Sequence, residues 1–331
     1  MKRLMIPLLA FLAAAVLIAA PFVGMHDISP LDLFRGTLSD AAERIFWQIR
    51  LPRVLLAWIA GATLALCGML FQALFRNPLA SPDILGVTSG ASFGAVLFIR
   101  LGALTGMGGS LFLSLSAGAF MGASLAVLTL LGCASLGRGL RDSTLLLAGV
   151  AINFLFASLT MIVQYTGDQF EAFRFMRWTL GGIQLVGFSE VLRSLPVLLL
   201  IFGASLYSSM ELDLMVCGDD MAVSRGVNVE KIRRRFFLLV SGAVGVVVAL
   251  CGPIGFIGLM VPHICRLLVG GGHRYLTMAT FLFGGTALVV CDTVARTFWA
   301  PVEMPVGILT SSCGAPFFLW LLLRKERGGV S

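Results

Sequence analysis

Apolar residues in this chain do not alternate with polar ones; they run on in unbroken stretches such as "LLLAGVAINFLFASL" at 145–159. A helix that crosses the hydrocarbon core of a bilayer needs about 20 mostly apolar residues. Runs of that kind, bounded by charge or by Gly/Pro clusters, occupy ten stretches: 4–24, 54–73, 84–102, 110–134, 144–165, 191–208, 235–254, 256–270, 277–296 and 305–323. The eighth is the shortest of a set otherwise long enough to span. Lipid tolerates only helices or closed barrels, and a barrel would show short segments of alternating polarity. The pattern therefore predicts an all-α polytopic membrane protein with ten transmembrane helices in a single domain, 1–331. The first run has the basic start and small-residue end of a secretory signal, but its length reads as a retained span.

Composition agrees: 58% of the residues are hydrophobic and 12% charged, which excludes an ordinary soluble domain. Ten spans create two sides. With both termini on the cytoplasmic side, 15 of the 24 Lys and Arg residues fall there, as the positive-inside rule requires. The net charge of +7 is thus accounted for by cytoplasmic flanks facing anionic lipid. No basic-aromatic patch points to nucleic acid. The seven cysteines are scattered and include no CxxC, so they read as small core residues and no metal site is expected.

Three connections are long enough to carry interactions that tight turns cannot. Residues 25–53 end in "RIFWQIRLPR", and residues 166–190 hold "FRFMRWTLGGIQ", whose Trp and Arg suit a membrane interface; both lie outside in this topology. Residues 208–235, inside, form the most polar stretch, and the segments leading in and out suggest two short helices with a bend. Within it Gly218, Ala222 and Gly226 recur at every fourth position, which on one short helix would leave a smooth stripe open to another surface. The spans carry small-xxx-small pairs, Gly61/Ala65, Gly90/Gly94, Gly118/Gly122 and Ser241/Gly245, which predict close helix packing. Between the second and third spans, Pro78 and Pro82 of "RNPLASPD" predict a turn.

No catalytic constellation is present. The three histidines are distant from one another, and there is neither a phosphate-cradling loop nor a nucleophile elbow. Any use of ATP must then fall to another subunit. Ionisable residues are almost missing from the spans, which argues against an ion-coupled carrier; the main exception is Asp292, four residues before Arg296 and able to pair with it. The topology brings Arg296 to the same outer face as Arg50 and Arg53. Three cations around one mouth either snorkel to the interface or receive carboxylates from an external partner.

Four long motifs, "RLPRVLLAWIAGATLALCGMLFQALFRNPLASPDILGVTSGA" (50–91), "LLLAGVAIN" (145–153), "GPIGFIGLMVPHICR" (252–266) and "EMPVGILTSSCGAPFF" (303–318), closely resemble the permease family of bacterial ABC importers for iron-siderophores, haem and vitamin B12. The resemblance covers nearly the whole chain. It implies a type II importer permease in the inner membrane, paired as a homodimer, bound to two copies of a separate ATPase that holds the ATP and Mg, and served by a periplasmic substrate-binding protein. The chain itself would bind no cofactor. Arg50, Arg53 and Arg296 match positions that receive acidic residues of the binding protein. The loop 208–235 matches the coupling helices that sit on the ATPase, which assigns Leu212, Asp213, Met215, Gly218, Ala222, Arg225, Gly226 and Val227 to coupling. Asp142, Ser143 and Thr144 match the neighbourhood of the cytoplasmic gate, although Asp142 stands where a hydroxyl residue is expected. An iron-siderophore is the first expectation for the cargo, with haem or cobamide the alternatives. His263, beside Pro262, invites a haem-ligand reading, but the motif belongs to the family whatever the ligand, so a structural role is expected.

Overall fold

The computed structural model describes residues 2–24, 28–105, 111–136, 142–183, 187–298, 300 and 302–328, and among them every regular element is helical. In chain order these are α1 (Lys2–Ala19), a 3₁₀ turn (Ala20–Phe22), α2 (Pro30–Arg35), α3 (Asp40–Arg44), a π-helical turn (Ile45–Arg50), α4 (Leu51–Leu74), a second 3₁₀ turn (Pro82–Leu85), α5 (Val87–Thr105), α6 (Leu111–Leu136), α7 (Asp142–Tyr165) and α8 (Gln169–Thr179). There follow α9 (Ser189–Tyr207), α10 (Ser209–Val216), α11 (Asp219–Ser224), α12 (Val229–Cys251), α13 (Ile257–Val269), α14 (His273–Thr297) and α15 (Val306–Gly328). Each of the ten apolar runs coincides with a helix, but not every one of these helices is long enough to span. By length and composition seven of the described helices can cross a membrane, with shorter apolar helices at Val87–Ala103, Ile257–Val269 and Val306–Trp320. The shortfall is physical for α13: its 13 residues rise only about 20 Å against a hydrocarbon core of about 30 Å.

The bundle is organised around α4, of whose 24 residues twenty are buried. A helix apolar on all sides belongs inside a bundle, and α4 is walled by α14, α9, α13 and α12. Contact on this scale requires backbones to approach closely, and the glycines show where. A Cβ added at Gly68 would overlap the carbonyl of Gly258 in α13, and one at Gly61 would overlap that of Gly284 in α14. The second helix pair, α5 and α6, meets in the same way: Gly90 and Gly94 lie against Gly118 and Gly122. Gly245 of α12 faces Ala123 of α6, whose Cβ would stand 3.3 Å from a Cβ added at Gly245. The small-residue pairs expected from the sequence are thus helix crossings.

The irregular backbone at "GPIGF" is satisfied by protein. There the amide of Gly182 donates to Cys251 O (2.8 Å) and that of Gly307 to Gly181 O (3.3 Å). Added Cβ atoms at Gly181, Gly252 and Gly307 would run into Pro253 O, Trp178 O and Leu180 O. Three chain segments, following α8, joining α12 to α13 and opening α15, are therefore knitted by their main chains into one junction, as apolar surroundings demand of non-helical backbone. In the "RNPLASPD" turn, Asn77 Oδ1 accepts the amide of Leu79 at 2.9 Å, an Asx turn.

Replacing Gly68 with Val should cost about 3 kcal/mol through overpacking against Gly258, whereas Gly203→Ala, on an exposed face of α9 with no atom in the way, should be neutral or slightly stabilising. Thermal unfolding of the two variants in detergent checks this; equal melting midpoints would contradict the crossing as the point of closest constraint.

Candidate functional site

The two ends of the bundle carry different polar chemistry. At one end, the π turn Ile45–Arg50, closed by the Leu51 amide on Phe46 O, runs directly into α4 and sets Arg50 and Arg53 on neighbouring inward faces. Arg50 is 6% exposed, and its Nη1 donates to Pro21 O and Phe22 O, both at 3.3 Å. Arg296, on the last turn of α14 and also buried, donates from Nη2 to Ala20 O at 2.6 Å. Carbonyls at the C-terminal end of a helix have no intrahelical partner and carry negative partial charge; the two arginines cap the end of α1 and its 3₁₀ turn. Gly24 leaves the room, because a Cβ there would press on the Arg50 guanidinium.

Arg53 is the centre of this end. Its Nε and Nη2 form a forked contact with the Asp292 carboxylate at 3.0–3.2 Å, the bidentate geometry that suits Arg best. Its Nη1 reaches Glu303 Oε2 at 2.9 Å, and the Glu303 side chain is 52% exposed. Asp292 is 2% exposed as a side chain and stands 3.8 Å from Arg296 Nε. The i, i+4 pair read from the sequence is therefore the longer contact, and the principal partner of Asp292 comes from α4. Expected to meet at one mouth, the three arginines do meet. Arg50 and Arg296, however, are buried and donate to the backbone of residues 20–22, while Arg53 connects through Glu303 to the exposed rim.

At the other end lie α10 and α11. Asp213 of α10 accepts from the His273 amide (2.8 Å) and lies 2.6 Å from His273 Nδ1, so a side chain from one element caps the start of α14. Asp219 accepts from Arg233 Nη2 (3.3 Å) and pairs with Arg76 Nη2 (3.5 Å), tying the loop to α12 and to the end of α4. An open groove of about 670 Å³ lies between, lined by Arg76, Cys217, Gly218, Asp219, Asp220, Met221 and Ser224.

The small-residue stripe does not form. Gly218 precedes α11 at φ +128°, and Gly226 follows it at φ +82°, so the three residues do not share one helix. The chain needs left-handed backbone at both sites, which is what glycine supplies; at the second, Val227 N donates to Ala222 O and Gly226 N to Val223 O, a Schellman ending. Ala222 is fully buried, as are Leu212 and Met215. These three anchor the loop from within. The surface is formed instead by Met221 and Val223, 51% and 61% exposed, beside the exposed Ser224, Arg225 and Gly226, with Val227 half-buried. Two short helices with a bend, as the flanking segments suggested, is the observed form. Asp142, Ser143 and Thr144 open α7, but their side chains lie outside the described residues.

Sequence reasoning missed Glu303, Asp219 and His273. Glu303 stands at the head of a quoted motif, and its sole signal was a carboxylate a few residues beyond the span end that holds Arg296. Among the described residues no group of His, Cys, Asp and Glu could hold a metal ion.

The model of the FecCD transport family matches residues 10–324. The chain is 39% identical to the hemin transport system permease protein HmuU of Yersinia pestis over 98% of its own length and 96% of that protein. It is 37% identical to the vitamin B12 import system permease protein BtuC of Salmonella typhi over 98% and 95%. A solved structure described as "An inward-facing conformation of a putative metal-chelate type ABC transporter" superposes with a TM-score of 0.81 at 30% identity, covering 98% of this chain and 99% of that one. The chain belongs to the FecCD transport family.

Asp292→Asn should leave Arg53 and Arg296 buried without a full counter-charge and cost about 3–5 kcal/mol, while Glu303→Gln at the exposed edge should cost less than about 1 kcal/mol. Melting midpoints of the purified variants separate the two; equal losses would show that the rim, not the buried fork, holds this end together.

Proposed function

We propose that this FecCD-family chain is the permease subunit of an ATP-driven importer in a bacterial inner membrane. It would cross the bilayer ten times with both termini in the cytoplasm and work as a homodimer. Two copies of an ATPase, which carry the ATP and Mg, would bind the α10–α11 end, and a periplasmic substrate-binding protein would deliver cargo to the Arg53 end. The chain is a transport subunit with no catalytic role. An iron-siderophore is the cargo we assign, with haem and vitamin B12 or another cobamide as the alternatives that experiment separates. Relatives for hemin and for vitamin B12 stand at similar distance, and the structural match is to a chelate-type transporter.

The observation that carries this reading is the α10–α11 loop. Its second helix, α11, turns Met221 and Val223 outward from the most polar part of the chain while the loop's own core, Leu212, Met215 and Ala222, is fully packed. Adjacent apolar side chains held outward by an element packed from within support a partner surface there. At the opposite end, Glu303 occupies the outer edge of Arg53, where a carboxylate of the binding protein would take its place; Arg50 and Arg296 support that surface from behind. Asp142, Ser143 and Thr144, at the start of α7, are assigned to the cytoplasmic gate. A carrier coupled to protons or sodium is disfavoured by Asp292, the one buried carboxylate of α14: it stands near the helix end and is neutralised by Arg53.

Three results test the proposal. The chain co-purified with its neighbouring ATPase and reconstituted in liposomes should show ATPase stimulation and uptake when the binding protein is loaded with ferric siderophore, and not with haem or cobalamin; failure to hold any ATPase subunit would overturn the importer reading. Met221→Asp with Val223→Asp should reduce ATPase retention about tenfold or more, as the loss of a central apolar anchor does, without lowering the melting midpoint. Glu303→Gln should tighten binding-protein docking severalfold by vacating Arg53, and weaker docking in that variant would remove the exchange.

A further inference from the structure

The face of α12 that the transport reading leaves unused has a composition of its own. Lys231, Arg234, Arg235, Leu238 and Gly242 are all exposed, and their spacing of i, i+3, i+4, i+7 and i+11 places them on one stripe. Its reverse side is buried: Ile232, Phe236, Phe237 and Val240 pack into the core, and Arg233 turns inward to Asp219. The three outward cations border one open recess of about 530 Å³, together with Asn228, Glu230 and Leu238. None of their side chains has a hydrogen-bond or ion-pair partner among the described residues, and Glu230 is the sole carboxylate at the recess. By contrast, Arg76 and Arg233 on the α11 side already share Asp219.

We propose that this recess is a binding site for an anionic phospholipid, with Lys231, Arg234 and Arg235 around the headgroup phosphate and the acyl chains running past Leu238 toward Gly242. Charge complementarity sets the headgroup: three cations against one carboxylate attract an anion, each worth more where lipid lowers the dielectric. The second half of the stripe sets the source as lipid. From Lys231 to Leu238 the helix rises about 10 Å, comparable with the depth of a headgroup layer, so the site begins in charge and ends in exposed apolar surface, as a phospholipid does. Planar guanidinium groups grip phosphate oxygens in pairs, and Lys adds a point charge. Bound there, the lipid would hold the start of α12 beside the α11 contact with Asp219, at the level where the proposed ATPase surface lies. The site itself rests on the membrane-spanning fold and not on the transport reading.

The full chain purified in detergent, mixed with phosphatidylglycerol or phosphatidylcholine and measured by native mass spectrometry, tests this. Retention of phosphatidylglycerol should exceed that of phosphatidylcholine by about tenfold. The combined variant Lys231→Gln, Arg234→Gln and Arg235→Gln should lose the preference, while Arg234→Lys with Arg235→Lys should keep most of it. Leu238→Gln should weaken lipid retention without creating affinity for inorganic phosphate. Retained preference in the triple variant would overturn the site, as would displacement of the lipid by inorganic phosphate alone, which would make it a free-anion site. Should the triple variant fail to fold, the wild-type chain decides: a preference that survives high salt would exclude a headgroup held by exposed charges.

Discussion

Everything in this molecule is arranged around the distance of closest approach between α4 and its neighbours. Helices in lipid gain no hydrophobic energy by associating with one another, so dispersion contact between closely fitted backbones has to supply the attraction. Gly68 against Gly258 and Gly61 against Gly284 bring α13 and α14 onto α4 at two levels of the same helix. With those crossings made, twenty residues of α4 are buried within the chain, and the remaining helices have a fixed post on which to pack. A single methyl group at either crossing would separate two backbones along their whole length, because helices are too stiff to yield at one point.

The post also determines where polar groups can exist. Arg53, at the head of α4, sits deep enough that its only tolerable state is paired, and α14, held to α4 by the Gly61 crossing, delivers Asp292 to it. The same register puts Arg296 one turn further on, beside the carbonyls that end α1. Removing charge from water is expensive unless the geometry is good and the remaining donors are satisfied; the fork on Asp292 and the edge contact to Glu303 satisfy Arg53, while Arg296 is capped on Ala20 O but keeps its buried Nε without a hydrogen bond, 3.8 Å from Asp292. The buried charges at this end are a consequence of helix register, and they make α1, α4 and α14 one rigid corner.

Most of the scaffold was legible in the sequence because it obeys rules that act locally. Apolar runs must be helical in lipid, glycines at every fourth position must lie against something close, and "GPIGF" must break a helix. What the pattern did not reveal depends on contacts between distant segments. Gly258 had no partner four residues away to mark it, so the Gly68 crossing was invisible. Asp292 was matched with Arg296, its neighbour in sequence, when its better partner lay 239 positions away. The stripe of Gly218, Ala222 and Gly226 failed for a different reason. A four-residue spacing describes a helical face only if the helix continues, and two of these residues were glycines because the backbone there is left-handed, not because the surface had to be smooth. The same ambiguity of glycine, small side chain or permissive backbone, is resolved in the membrane spans by the absence of any reason to leave the helix.

The two ends also differ in how much it costs to change them, and that difference bears on how motion could enter. The Arg53–Asp292 fork is shielded, with side chains 12% and 2% exposed, and breaking such a pair is strongly unfavourable. The Arg76–Asp219 contact is 37% and 38% exposed, a class of pair worth about 1 kcal/mol or less. The outer side of the loop, which carries Met221 and Val223, is thus tied to the end of α4 by a weak restraint. Its inner side is packed by Leu212, Met215 and Ala222, and Asp213 clasps the first residue of α14. The far end of α14 carries Asp292 and Arg296. One helix is therefore held at its start by the loop, along its length by the Gly284 crossing with α4 and at its end by the rigid corner, so the two polar ends of the bundle are joined through a single continuous element that cannot shift at one end alone.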